Sequence, residues 1–161
     1  MRKLLVIAAL LAGGCGFHLQ GSQPLPRNFA YAYIDTKDEQ TDFVQGLRKA
    51  LLASGSKVIR TQGSSGVTIS VHDDELSERV LSVSARNIPT EYELTYSVKF
   101  SVASGGKTLI DNETVSATRD VSFDETQLLA KEREQEILRE ALARDLVALV
   151  MRRLAALPPE A

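Results

Sequence analysis

The sequence predicts an α+β fold, a two-layer sandwich in which two helices pack on one face of a mixed or antiparallel sheet of about four strands. The stretch "YELTYSVKFSV" (92–102) alternates apolar and polar residues without a break, which is the period of a strand with one buried face. Two other stretches, 39–53 and 124–154, carry apolar stripes at helical spacing. Because further strand patterns lie between these stretches, we expect the helices and the sheet to form separate layers.

The composition agrees with a single domain that has an apolar core. Of the 161 residues, 43% are hydrophobic and 25% are charged, which is too apolar for a wholly disordered chain. The formal net charge is −2, and no block of like charge marks the chain as a nucleic-acid binder.

Residues 1–14 have the layout of a secretory signal peptide. Arg2 and Lys3 precede the apolar run Leu4–Ala12, which is shorter than the ~20 residues of a membrane-spanning helix. Two glycines then lead to Cys15, the only cysteine, so no internal disulfide can form. This junction resembles a bacterial lipoprotein signal, in which the cysteine becomes the first mature residue and carries acyl chains. We therefore predict lipidation at Cys15 and an outer-membrane location, with an ordinary signal peptide and an uninvolved cysteine as the alternative.

Three further regions follow the signal. Residues 15–28 contain Gly, Ser and Pro and are predicted to be a lipidated N-terminus and tether. A single α/β domain is expected at 29–157, with a short tail at 158–161.

The first elements of the domain are a strand and a helix. The strand, over 29–35, has apolar residues on both faces. The helix over 39–53 places Phe43, Leu47 and Leu51 on one buried stripe. The loop that follows includes a candidate short strand at 57–60.

Strands dominate the middle of the chain. Val67–Val71 and Leu81–Ala85 alternate as two strands, and His72–Asp74 is predicted to be a solvated turn. The turn at Ser104–Lys107 then joins 92–102 to a long returning strand. We expect that returning strand to cover 108–123.

The chain ends in a long helix, predicted over 124–154. Its first half contains "AKEREQE", which is almost wholly charged, whereas its second half carries a leucine stripe. Thirty residues at ~1.5 Å each span roughly 45 Å, more than a small sheet can cover. We therefore expect the charged half to lie at a rim or to project.

The strand residues that face away from the predicted helices are rich in hydroxyl groups. A solvated face explains this composition, since Thr favours strands. The other explanation is contact with a wet, polar partner surface. The residues are Thr68, Ser70, Ser82, Ser84, Thr95, Ser97, Ser101, Ser116 and Thr118.

The sequence lacks a convergent set of reactive side chains. One of its two histidines, His18, lies in the tether, and the other, His72, precedes Asp73 and Asp74. Adjacent side chains of an extended chain point in opposite directions, so His72, Asp73 and Asp74 cannot all coordinate one metal ion. No hydrolase, phosphate-loop or zinc-protease motif is present. We predict no enzyme, and therefore no catalytic residue, metal site or cofactor.

Two basic residues are candidate anion ligands. Arg86 lies in a turn between strands, and Lys131 lies early in the last helix. Together they could hold phosphate groups, because Arg is a planar two-point donor and a helix N-terminus presents free amides. The alternative is that Lys131 and Arg133 pair with neighbouring glutamates on a solvated helix.

Three motifs resemble the LptE family of lipopolysaccharide-assembly lipoproteins. They are "CGFHLQG" at 15–21, followed by "LP" at 25–26; "RNIPTEYEL" at 86–94; and "LLAKEREQEI" at 128–137. The resemblance covers most of the mature chain. One departure is Gln20, which stands where the family often has Arg.

The resemblance implies a two-layer α/β domain tethered to the periplasmic side of the outer membrane and inserted as a plug in the lumen of the β-barrel LptD. It also implies that the domain assists assembly of that barrel and binds lipopolysaccharide through Arg86 and Lys131. The hydroxyl-rich face would then contact the polar inner wall of the barrel. The alternative is a pilot or adaptor lipoprotein of another envelope or secretion complex, which the same anchor and fold would serve.

Overall fold

A five-stranded mixed sheet, covered on one face by two helices, forms the domain. The computed structural model describes residues 24–61, 63, 66–122 and 128–158, and in the last range it describes side chains from residue 133 onward. The predicted α+β two-layer class is confirmed, with five strands where about four were expected. In chain order the elements are β1 (Tyr31–Thr36), α1 (Asp42–Ala53), β2 (Lys57–Ile59), β3 (Val67–Val83), β4 (Pro89–Ser104), β5 (Lys107–Ser122) and α2 (Leu128–Ala155).

The sheet has the strand order β2-β1-β3-β4-β5. Strand β1 is parallel to both of its neighbours, whereas β3, β4 and β5 form an antiparallel meander. Pairing between β1 and β3 stops at Thr36 and Val71, while pairing between β3 and β4 continues to Val83 and Pro89. The last twelve residues of β3 therefore extend past the end of β1, as part of a long β3–β4 hairpin.

The prediction of two separate strands at 67–71 and 81–85 is wrong, because β3 is continuous from Val67 to Val83 and Ser84 and Ala85 belong to the turn that follows. A bulge at His72 shifts the register between Val71 and Asp73, and the polar residues that follow stay paired with β4. The predicted turn is thus a strand segment. Polar side chains are compatible with this strand segment, because its backbone hydrogen bonds to β4 do not depend on side-chain polarity.

The helix boundaries also differ from the predictions by a few residues. Helix α1 begins at Asp42, since the Thr41 hydroxyl accepts a hydrogen bond from the Val44 N–H at 3.2 Å and caps the helix. Helix α2 ends at Ala155, before the Pro158–Pro159 pair that limits it.

The apolar core lies between the helices and one face of the sheet. All six residues of β4 that were predicted to face one way are buried, and they are Tyr92, Leu94, Tyr96, Val98, Phe100 and Val102. Helix α1 contributes Phe43, Leu47 and Leu51, as predicted. Among the side chains of α2 from residue 133 onward, the buried ones lie in its second half, and they are Leu142, Ala143, Leu146, Val147, Val150 and Leu154.

Two glycines lie at close approaches between elements. A Cβ at Gly46 would lie 3.1 Å from Val147 Cγ2, so Gly46 lets α1 and α2 pack closely. Gly66, just before β3, has φ +126° and would place a Cβ 2.6 Å from the Tyr31 carbonyl oxygen, so only glycine fits there.

Candidate functional site

The β3–β4 hairpin ends in a tight turn that presents Arg86. The Ser84 Oγ accepts hydrogen bonds from the N–H groups of Arg86 and Ile88, each at 3.3 Å. The Ser84 N–H donates to the Ile88 carbonyl at 2.8 Å, and Asn87 adopts a left-handed φ of 61°. These bonds hold the turn backbone in one conformation, while the Arg86 side chain is exposed.

The other predicted ligand, Lys131, lies in the first turn of α2. One turn later, Gln135 Nε2 donates to a carboxylate oxygen of Glu78, which places the start of α2 beside the far half of β3. Lys131 and Arg86 therefore lie toward the same end of the molecule. The side chain of Lys131 lies outside the described residues, as does Cys15, so their predicted roles stay predictions.

A groove of about 410 Å³ separates the far half of β3 from α2. Its apolar side is formed by Leu76 and Leu94, and its polar side by residues of α2. The full lining is Leu76, Ser77, Glu78, Leu94, Gln135, Glu136 and Arg139.

A polar junction connects α1 to the sheet. The Thr41 hydroxyl donates to Asp74 of β3, and the Tyr96 hydroxyl of β4 also hydrogen-bonds Asp74. Burial raises the pKa of the Tyr96 phenol, and the hydrogen bond to Asp74 raises it further. Beside this junction, Arg139 of α2 pairs with Asp42 at 2.7 Å. Two hydroxyl groups, from Thr41 and Tyr96, thus donate to the Asp74 carboxylate and fix the start of α1. Sequence reasoning missed this junction because its members are far apart in the chain.

The sheet face opposite the helices carries the predicted hydroxyl groups. Strand register brings Thr95 beside Thr118, with their oxygens 3.1 Å apart, and His72 Nε2 lies 2.7 Å from Ser101 Oγ. Both helices pack on the other face. Seven of the nine predicted hydroxyl residues share this uncovered face by register, and they are Thr68, Ser70, Thr95, Ser97, Ser101, Ser116 and Thr118. The other two are at the hairpin end, where Ser82 contacts Thr90 and Ser84 builds the turn.

His72 and Asp74 do not converge on a common point. His72 lies on the uncovered face beside Ser101, whereas Asp74 bonds Thr41 at the start of α1. Across the described ranges, no three His, Cys, Asp or Glu side chains are arranged to hold a metal ion. Within the same ranges, no helix is both long and apolar enough to cross a membrane.

Sequence reasoning also missed a cluster of exposed apolar residues at the hairpin end. The signal was "VLSV" at 80–83, which puts apolar residues on both faces of a strand that has a helix layer on only one face. Of the eight large apolar side chains that the described residues leave exposed, five lie on this hairpin. They are Leu76, Val80, Leu81, Val83 and Ile88.

The chain is similar in sequence to curated lipoproteins. A family profile described as "LptE: Lipopolysaccharide-assembly" matches residues 29–154. The LPS-assembly lipoprotein LptE of Pectobacterium atrosepticum is 24% identical over 154 residues, covering 94% of this chain and 82% of that protein. The protein of the same name from Yersinia pestis is 22% identical over 152 residues, covering 94% of this chain and 73% of that protein.

Solved structures share the fold. Lipoprotein B from Nitrosomonas europaea superposes with a TM-score of 0.71 and 26% identity, over 88% of this chain and 92% of that one. The rare lipoprotein B from Shewanella oneidensis gives a TM-score of 0.69 with 25% identity, over 78% of this chain and 94% of that one.

Proposed function

The chain belongs to the LptE lipopolysaccharide-assembly family, and we propose that it is an outer-membrane lipoprotein that plugs an LptD-type β-barrel, assists its assembly and binds lipopolysaccharide during transport to the outer leaflet. The family match over residues 29–154 carries this proposal. The family is one of assembly lipoproteins and not of enzymes. The proposed work is therefore binding and templating, without covalent chemistry.

The uncovered sheet face supports the plug role. Its side chains are mostly hydroxyls and charges, such as Thr95, Ser97 and Lys99, which can bond directly or through water to a polar wall. The lumen of a transmembrane β-barrel is lined by such polar residues. The opposite face is already covered by α1 and α2, so the uncovered sheet is the broad surface left for a partner.

The plug role is tested by purifying the tagged full chain from outer membranes. We expect one large, heat-modifiable β-barrel protein to copurify with it in equal amount. Depleting the chain should lower the amount of folded barrel. Recovery of a secretin or another envelope complex without such a barrel would support the pilot or adaptor function and overturn the plug role.

Arg86 supports the ligand-binding role, together with the position of Lys131 in the chain. Arg86 lies at an exposed turn whose backbone is held by Ser84, so its guanidinium is presented from a fixed base. A guanidinium can bind a phosphate with two parallel hydrogen bonds. Lys131 would add a second cation at the same end of the molecule.

Charge reversal tests this assignment. The double variant Arg86→Asp, Lys131→Asp should bind purified lipopolysaccharide at least about tenfold more weakly, because each charge-assisted contact contributes ~1.5–3 kcal/mol. The matched control is Arg60→Asp, Lys107→Asp, which makes the same charge change at exposed positions away from the hairpin end. Equal binding by the two double variants, with unchanged melting temperatures, would refute the roles of Arg86 and Lys131.

The lipid anchor has its own test. The Cys15→Ser variant should be released into the periplasm and should not incorporate labelled fatty acid, because it lacks the sulfur that carries the acyl chain. The fold should be unchanged, since the domain begins well after residue 15. Membrane retention of this variant with normal processing would contradict lipidation at Cys15.

A further inference from the structure

We infer that the exposed apolar side chains at the end of the β3–β4 hairpin are a docking site for the acyl chains of the phosphorylated glycolipid whose phosphates Arg86 binds. This inference rests on the proposed ligand-binding function. We call residues 80–90 the hairpin tip. The tip is the only part of the described chain where large exposed apolar residues are concentrated.

The apolar residues of the tip are exposed, although the β4 partner of Val80 is buried. Val80, Leu81, Val83 and Ile88 are 47%, 43%, 50% and 40% exposed, whereas Tyr92, the β4 partner of Val80, is 8% exposed. The tip lies beyond the region that α1 and the second half of α2 cover. Clustered apolar exposure of this kind marks an interaction site, whereas single exposed apolar residues are ordinary.

The composition of the tip favours an anionic amphiphile as the occupant. Arg86 is the only charged residue between positions 80 and 90, and the exposed Glu91, the β4 partner of Ser82, follows directly. On one flank, Arg79 is paired with Glu93 at 2.8 Å, so that carboxylate is already neutralised by a partner. A ligand with apolar chains and a phosphate matches a surface of four apolar side chains around one guanidinium.

The groove beside the tip extends this apolar surface along β3. Leu76 and Val80 are in register with Tyr96 and Tyr92, so both are on the helix side of the sheet. Leu76 lines the groove of about 410 Å³, and the tip lies at the end of the same strand. An acyl chain that contacts the tip can therefore continue over Val80 toward Leu76.

The position of the tip favours a transported glycolipid as its occupant. The other candidate is the lipid of the membrane into which the acyl chains on Cys15 would insert. Strands β1 and β3 are parallel, and β3 extends twelve residues past Val71, or roughly 40 Å at the rise of a strand. The described chain enters the fold at the opposite end, where Leu25 packs against the core. The tip is thus at the end of the domain remote from its N-terminal attachment.

Photo-crosslinking in living cells tests the inference on the full chain with its partners. A diazirine amino acid is placed at Val80, Val83 or Ile88 in the tip, and at Leu52 as an exposed apolar control on α1. A further probe at Asn87 reports contacts beside Arg86. After irradiation, adducts are captured, hydrolysed with alkali to release ester-linked chains, and analysed by mass spectrometry.

We expect tip adducts that retain a hydroxy fatty acid after hydrolysis, and none above background at Leu52. Adducts only to sugar or phosphate, or lipopolysaccharide adducts at Asn87 alone, would overturn the acyl site and leave the proposed ligand binding intact. Tip adducts only to a barrel protein or to phospholipid would also overturn it. Absence of lipopolysaccharide adducts at every position, including Asn87, would instead count against the proposed binding function.

A second variant checks the energetic role of the same residues. Val80→Ser, Ile88→Ser should lower the yield of lipopolysaccharide adducts at Asn87, because the ligand loses apolar contacts but keeps Arg86. Leu52→Ser is the matched control and should leave that yield unchanged. An unchanged yield for the tip variant would also overturn the inference.

Discussion

The two ends of strand β3 both place apolar residues on the helix side of the sheet but lie in opposite environments. Val67, Ile69 and Val71 are buried beneath the helices. Leu76 and Val80, farther along on the same side of the sheet, are exposed. The first end is the body of the domain, and the second belongs to the projecting β3–β4 hairpin.

The difference in exposure between the two ends of β3 comes from the helices that cover the sheet and not from the strand itself. Helix α1 has only twelve residues, and its buried stripe covers the body. The second half of α2 is apolar and completes that cover, whereas its first half is charged and leaves Ile137 exposed. In the far half of the hairpin, Leu94 and Tyr92 of β4 are still buried, whereas Leu76 and Val80 of β3 are exposed, so the helix cover is missing over β3.

The largest expected effect is on stability of the body. Phe100→Ala should reduce the free energy of unfolding by ~3–5 kcal/mol, because Phe100 is fully buried and its removal leaves a cavity. Urea denaturation followed by circular dichroism measures the change. Val80→Ala is the matched control on the hairpin and should cost less than ~1 kcal/mol. Similar costs for the two variants would mean that the hairpin tip is part of the core.

A smaller effect is expected at the polar junction between the two regions. Tyr96→Phe removes the hydroxyl that bonds Asp74 and should cost ~1–2 kcal/mol, since a partly buried carboxylate loses one donor. The control is Tyr33→Phe, which removes a hydroxyl from the other face of the sheet and should change stability by less than ~0.5 kcal/mol. If the two variants were equally stable, the junction would contribute nothing to the docking of α1.

The same junction predicts a pH dependence in alkaline solution. Burial, and then the bond to Asp74, raise the pKa of the Tyr96 phenol above its ordinary value of about 10. The stabilisation from the protonated phenol is therefore fully present below about pH 10 and is lost as the pH rises above that value. Between about pH 10 and pH 11 the wild-type protein should lose ~1 kcal/mol more than Tyr96→Phe. Parallel urea curves for the two proteins at each pH provide the measurement, and identical losses would contradict the raised pKa.

The body and strand β4 were largely predictable from the sequence, whereas the far half of β3 was not. Unbroken alternation over 92–102 and the stripe of Phe43, Leu47 and Leu51 each report a single buried face, so local periodicity was sufficient there. In contrast, the run from His72 to Arg79 has one apolar residue, Leu76, among seven polar ones, so it reports no buried face. Its strand conformation depends on pairing with β4, which is a long-range contact that no local pattern reports.

The candidate site was predictable only in part for the same reason. Arg86 was placed correctly in a turn between strands, because Asn87 and Pro89 are local turn signals. The junction of Thr41, Asp74 and Tyr96 was missed, since its members come from three elements that meet only in the folded chain. The exposure of Val80 and its neighbours was missed because the length of the helix cover is a tertiary property.

The smallest expected effect concerns the ion pairs that lie along α2. Arg119 of β5 contacts Asp145 at 2.9 Å, and both side chains are about half exposed, so water and salt screen the pair. A double-mutant cycle with Arg119→Ala and Asp145→Ala should give a coupling energy of ~0.2–1 kcal/mol, decreasing as salt is added. Leu146→Ala, on the buried stripe of the same helix, should cost ~2–5 kcal/mol and should be insensitive to salt. This contrast identifies apolar packing in the body as the main attachment of α2. A coupling energy as large as the effect of Leu146→Ala would instead mean that ion pairs hold α2 on the sheet. The difference in exposure between the body and the hairpin would then originate in charged surface contacts and not in the helix cover.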